Sequence, residues 1–154
     1  MTIQAPTKPY IFASIAALLV GVSAYGIGLV NATMALNEKG YYLTVILYGL
    51  FSVVSLQKTI RDKAEGIQTS KLYFNLSWAS TGFAIASLTI GLINADLMLS
   101  EKGFYAMAYV LSLFAAITVQ KNVRDKLAFR ERVPANSEPD LVEEQTTEAL
   151  VSHS

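Results

Sequence analysis

Charged residues along this chain come in clusters, and long uncharged stretches separate them. Between Lys8 and Glu38 lie 29 uncharged residues, between Lys39 and Lys58 18, between Lys71 and Asp96 24, and between Lys102 and Lys121 18. A hydrocarbon core about 30 Å thick needs about 20 apolar residues at about 1.5 Å rise each. The shorter stretches supply about 27 Å, enough when flanking Gly, Tyr and Lys sit at the interface. The sequence therefore predicts an all-α, four-transmembrane-helix bundle with spans near 10–34, 40–58, 72–97 and 103–121. A soluble helical bundle is the alternative. Its helices would show a charged stripe at a period of about 3.6 residues. Tyr10–Val30 and Trp78–Ile93 have none, only small Ser, Thr and Gly among the apolar positions. The first stretch is also much longer than the apolar region of a cleavable signal peptide, so it reads as an uncleaved anchor.

The basic residues alternate in number along the chain. Lys8 precedes the first span and Lys39 follows it. Lys58, Arg61, Lys63 and Lys71 lie in the middle segment, and Lys102 in the second turn. Lys121, Arg124, Lys126, Arg130 and Arg132 follow the last span. Retaining positive charge on the cytoplasmic side sets orientation. Both termini and the middle loop are thus expected in the cytoplasm, with two short turns outside. Residues 1–9 form an N-terminal cytoplasmic segment. From Val133 the composition shifts to Glu138, Asp140, Glu143, Glu144 and Glu148 with Pro134 and Pro139 between. Residues 128–154 are therefore expected as a disordered acidic cytoplasmic tail, with a basic helical stub reaching toward 132.

The second half repeats the first at an offset of 63 residues. Gly28-Leu-Val-Asn31-Ala32 matches Gly91-Leu-Ile-Asn94-Ala95, and Glu38-Lys39-Gly40-Tyr41 matches Glu101-Lys102-Gly103-Phe104. Leu50-Phe51 matches Leu113-Phe114, and Gln57-Lys58-x-x-Arg61-Asp62-Lys63 matches Gln120-Lys121-x-x-Arg124-Asp125-Lys126. Over 28–63 against 91–126, 16 of 36 positions are identical. The chain divides into a first two-helix repeat at 10–71 and a second at 72–127. Two hairpins joined by one loop on the same side have the same orientation. The repeats are therefore parallel, related by an axis near the membrane normal.

Two copies of Asn-Ala, an Asn/Ser-Glu-Lys-Gly-Tyr/Phe turn, Leu-Phe and Gln-Lys-x-x-Arg-Asp resemble the YiaA/YiaB two-helix domain family. The resemblance covers about residues 10–127 and both repeats. It implies a bacterial inner (plasma) membrane protein with no assigned activity, and it brings no catalytic residues.

The repeated polar residues are the candidate sites. In the turns, Asn37 or Ser100 is placed to cap the following helix, and Glu38 or Glu101 to sit at its positive end. Gly40 and Gly103 are placed for close helix approach. Capping leaves Lys39 and Lys102 unexplained, and an outward Glu/Lys recognition patch is the functional alternative. At the other end, Lys58 and Asp62, like Lys121 and Asp125, are four residues apart and can pair on one face. With Gln57, Arg61, Gln120 and Arg124 they read as a cytoplasmic anchor, or as a docking site for anionic lipid headgroups. Asn31 and Asn94 are expected to hydrogen-bond between helices. Asp96, whose counterpart is Thr33, is the one acid close to a span and a candidate for ion or proton coupling. Small residues at four-residue spacing (Ala13, Ala17, Gly21; Ala24, Gly28, Ala32; Ala108, Ser112, Ala116) suit close packing within one chain or between two copies. Tyr10, Tyr41, Tyr42, Tyr73, Phe74, Trp78, Phe104 and Tyr105 are expected in interfacial belts.

Composition narrows the function classes. Of 154 residues, 53% are hydrophobic and 16% charged, and twelve basic balance twelve acidic residues. No basic field points to nucleic acid. There is no cysteine, and the single histidine is His153. Thiolate sites, multi-histidine metal sites and a buried Ser-His-Asp triad are excluded, and no cofactor-binding motif is found. The expected role is non-enzymatic: interaction, membrane organisation or stress-accessory work, with the bilayer, a membrane-protein partner or a second copy as partners. The alternative is a small transporter or channel with a polar cavity between the repeats, lined by Asn31, Asn94 and Asp96.

Overall fold

The first helix begins where Pro9 sits in the opening turn, a position at which the missing N–H costs nothing. The computed structural model describes residues 6–132, and the expected acidic tail from Val133 lies outside them. Four helices make up the described chain: α1 (Lys8–Asn31), α2 (Leu36–Ala64), α3 (Lys71–Asn94) and α4 (Leu99–Arg132). Each is long and apolar enough to cross a membrane. α1 stops at Asn31 rather than near 34, because Ala32 turns to an extended conformation. Ala95 does the same after α3. α2 and α4 continue well past their apolar stretches, to Ala64 and Arg132. Positions 128–132, placed in the tail by the domain division, belong to the expected helical stub and are helical.

The α2 terminus follows directly from glycine chemistry. Gly66 has φ +75°, a left-handed conformation that favours glycine. The Ile67 N–H donates to the Asp62 carbonyl at 2.8 Å, and the Gly66 N–H to that of Lys63 at 3.3 Å. These are the two bonds of a Schellman motif.

The hairpins of the sequence are not the packing units. α1 lies along α4 and α2 along α3, and α2 meets α4 in the middle. The two helices of each hairpin touch far less. Exchanging the repeats exchanges the α1/α4 pair for the α3/α2 pair, so the two halves interlock about a pseudo-two-fold axis along the bundle. Glycines permit this. A Cβ on Gly28 would lie 2.7 Å from Phe104 Cε1, and one on Gly91 would lie 2.7 Å from Tyr41 Cε1. Each repeat thus seats its aromatic pair on the glycine of the other. Gly40 and Gly103 have open space instead, so they do not mediate helix approach.

The interior combines aliphatic side chains and tyrosines with small hydroxyls, and the outside is apolar. Ser14, Ser52, Thr59, Ser77, Thr81, Ser112 and Asn122 are buried. Phe12 is 74% exposed, Phe51 70% and Met107 76%. Apolar surface of this extent on all four helices is stable in lipid and not in water. The buried hydroxyls satisfy themselves within their own helices, Ser52 Oγ donating to Tyr48 O at 2.7 Å and Ser112 Oγ to Ala108 O at 2.7 Å. Tyr42 and Tyr105 are buried between the helices near the turn end, whereas Tyr10, Tyr73 and Trp78 are exposed.

Candidate functional site at the two ends of the bundle

At the turn end, a short extended linker joins each pair of helices, and the same three side chains hold it in both repeats. The Glu38 carboxylate accepts from the Ala35 N–H at 2.9 Å, and that of Glu101 from the Met98 N–H at 2.8 Å. The carboxylates thereby satisfy the residue before each helix and sit at its positive end. Asn37 and Ser100, expected as caps, lie inside helices that start one residue earlier, at Leu36 and Leu99.

The lysines are explained across the turn. Lys39 Nζ donates to Val30 O at 2.8 Å, and Lys102 Nζ to Ile93 O at 3.3 Å. These carbonyls belong to the last turn of the preceding helix, which has no basic residue of its own. A Glu-Lys dipeptide therefore caps two helix ends at once, the start of one and the end of the other. Asn31 and Asn94 complete the arrangement, each donating from Nδ2 to the carbonyl four residues back, Ile27 O and Ile90 O, at 2.8 Å. The expected interhelical bonding of these two asparagines is thus replaced by bonding within their own helices. Among the described residues, the buried bond that joins two side chains on different helices is instead Asn122 Nδ2 to Ser14 Oγ, 3.0 Å, between α4 and α1.

Two open pockets flank the turns, and they correspond by the repeat. One, about 270 Å³, is lined by Glu38, Tyr41, Tyr42, Gly91, Asn94 and Asp96, among others. Its counterpart, about 290 Å³, is lined by Gly28, Asn31, Glu101, Phe104 and Tyr105 with their neighbours. Asn94 and Asp96 therefore share a pocket from which Asn31 is absent. The single cavity expected between the repeats, lined by all three, is not what the fold builds.

At the opposite, loop end, α2 and α4 bring their Gln-Lys-x-x-Arg-Asp segments together. Arg124 Nη2 donates to Glu65 Oε1 at 2.6 Å, and Arg61 Nε lies 3.5 Å from the same oxygen. The expected Lys58–Asp62 and Lys121–Asp125 pairs do not form; among the described residues both ion pairs converge on Glu65. Buried beside them without hydrogen-bond partners are Gln57 Oε1, Gln120 Oε1, Arg61 Nε and Nη1, and Arg124 Nη1. Two guanidiniums thus face one carboxylate across the pseudo-axis. The site is symmetric except for that carboxylate, because the repeat counterpart of Glu65 is Ala128.

Glu65 and Asn122 make these contacts without being among the residues that the sequence singled out. Glu65 stands four residues after Arg61, a readable pairing signal. Asn122 and its counterpart Thr59 fill a position that is polar in both repeats. Among the described residues no cluster of His, Cys, Asp or Glu is arranged to hold a metal ion.

The yiaA/B two helix domain matches this chain twice, over residues 10–62 and 73–125. Inner membrane protein YiaA of Escherichia coli (strain K12) is 54% identical over 109 residues, which are 71% of this chain and 75% of that protein. Uncharacterized membrane protein YubF of Bacillus subtilis (strain 168) is 46% identical over 46 residues, 29% of this chain and 53% of that protein. No solved structure matches.

Proposed function

The chain belongs to the yiaA/B two helix domain family, and from that premise we propose that it is a multi-pass inner-membrane protein that organises its membrane surroundings or a membrane partner. In this reading it performs no catalysis. Both termini and the 65–70 loop are cytoplasmic, and the two turns are outside. The observation that carries the reading is the contrast between the two ends of one interlocked block. The turn end consumes its Glu and Lys side chains in capping its own helices. The loop end gathers Lys58, Arg61, Lys63, Lys71, Lys121 and Arg124 and holds two of these on a single carboxylate. A basic collar at the end of a membrane bundle attracts the anionic cytoplasmic leaflet.

Reporter fusions after Glu38, Glu65 and Glu101 test the orientation, with a cytoplasmic signal expected only at Glu65. Purification from native membranes, with identification of bound lipids and proteins, tests the role. A second reading, transport, draws support from Asp96 and Glu38 lining one pocket. Flux in proteoliposomes that disappears in Asp96→Asn would replace the first reading with this one.

A further inference from the structure

Beside the α2–α3 loop lies an open cavity of about 500 Å³ lined by Lys63, Ile67, Thr69, Lys71, Phe74 and Asn75. Its volume falls within the range of small-ligand clefts. Among the described residues, two ammonium groups border it and no carboxylate does. The nearest acids of this segment are accounted for elsewhere: Glu65 is held by Arg61 and Arg124, and Asp62 does not line the cavity. One side is apolar. Lys63 Nζ lies 4.7 Å from the centroid of the Phe74 ring, so the aromatic face also fixes the cation in place. Gly66 sets the loop direction through its left-handed φ and carries Ile67 across to the cavity. Beyond it, Leu72 and Leu76 of α3 are exposed, continuing into the apolar flank of the bundle.

We propose that this cavity is a headgroup site for an anionic glycerophospholipid, with the phosphodiester held between Lys63 and Lys71 and the glycerol end against Ile67 and Phe74. The proposal deepens the membrane-organising reading and rests on it. A phosphate anion supplies the charge that two lysines without a carboxylate require. The adjoining apolar wall and the boundary between loop and span select an amphiphile over a free anion. The site is a property of this linker, because Lys63 through Lys71 fall between the two segments that match the family. Lys126 is the repeat counterpart of Lys63, and there α4 continues as a helix to Arg132.

The test is native mass spectrometry of the full chain in detergent, titrated with dioleoyl phosphatidylglycerol, with dioleoyl phosphatidylcholine and with inorganic phosphate. Phosphatidylglycerol is expected to bind most tightly. Affinity should fall about fivefold in Lys63→Gln or Lys71→Gln and about thirtyfold in the double variant, the change corresponding to about 1 kcal/mol per basic residue. Lys126→Gln should leave affinity unchanged, and Lys63→Arg with Lys71→Arg should retain it. Equal loss in Lys126→Gln would show diffuse attraction and overturn the site. So would an unaffected double variant, or inorganic phosphate that displaces the lipid. Absence of phosphatidylglycerol binding in the unaltered chain would also overturn it, while the reporter fusions would still decide the orientation separately.

Discussion

Tyr42 and Tyr105 hold the same position in the two repeats and stack on each other, their ring centroids 6.2 Å apart and their planes 19° from parallel. The pair marks where the pseudo-two-fold axis crosses the core. Around it the symmetry is broken: Tyr25 OH donates to Tyr42 O at 3.0 Å and packs edge-on to Tyr105, while the counterpart of Tyr25 is Leu88. A duplicated sequence has thus acquired an asymmetric centre on a symmetric frame.

The seating of aromatics on glycines separates four repeated glycines into two kinds. Gly28→Val and Gly91→Val should each destabilise the protein by about 1–3 kcal/mol, as overpacking does. Gly40→Ala and Gly103→Ala should be neutral or stabilising by up to about 1 kcal/mol, because Ala is the better helix former. Thermal unfolding in detergent, followed by circular dichroism, measures all four.

Capping predicts a structural rather than a recognition phenotype at the turns. Glu38→Ala and Glu101→Ala should each cost about 1 kcal/mol of stability, the usual value for a lost helix cap. The set of proteins co-purifying from membranes should not change. A normal melting curve with a lost partner would favour the recognition patch instead.

Of the three asparagines bonded through their side chains among the described residues, Asn122 should matter most. Asn122→Ala removes a buried bond between helices and should cost about 0.6–1.7 kcal/mol. Asn31→Ala and Asn94→Ala remove exposed bonds within one helix and should cost less. The same unfolding assay ranks them.

At the loop end, Glu65→Gln leaves Arg61 and Arg124 facing each other. Glu65 is about half exposed, so the loss should be modest, roughly 0.5–1 kcal/mol. It should shrink at high ionic strength as salt screens the two guanidiniums. Adding Arg124→Gln to Glu65→Gln should recover part of the loss, since the repulsion goes with the second charge. An additive double variant would contradict that coupling.

Much of this fold was legible because lipid imposes simple demands. Uncharged stretches of the right length without a charged stripe read as spans rather than soluble helices, and the shared offset of 63 residues made the duplication visible. Interlocking was not legible. Hydropathy does not say which helix lies on which, and the hairpin looked like the natural unit. Lys39 was the clearest puzzle, since capping of the following helix has no use for a cation. Its partner, Val30 O, is a main-chain group on another helix and carries no signature in the sequence. The loop-end arginines were visible as a pair of repeats, but their convergence on Glu65 depends on α2 meeting α4.

The decisive measurement exploits a chain without cysteine. Gly21 of α1 lies against Ser112 of α4, a Cβ there coming within 2.7 Å of Ser112 Oγ. In native membranes, Gly21→Cys with Ser112→Cys is oxidised, and a protease site inserted in the 65–70 loop is then cut. If the repeats interlock within one bilayer-embedded chain, the two halves stay joined until reductant is added, and the protein stays in the detergent-requiring fraction. Halves that separate without reductant, cross-links found only between two chains, or a protein that remains in solution without detergent would contradict it.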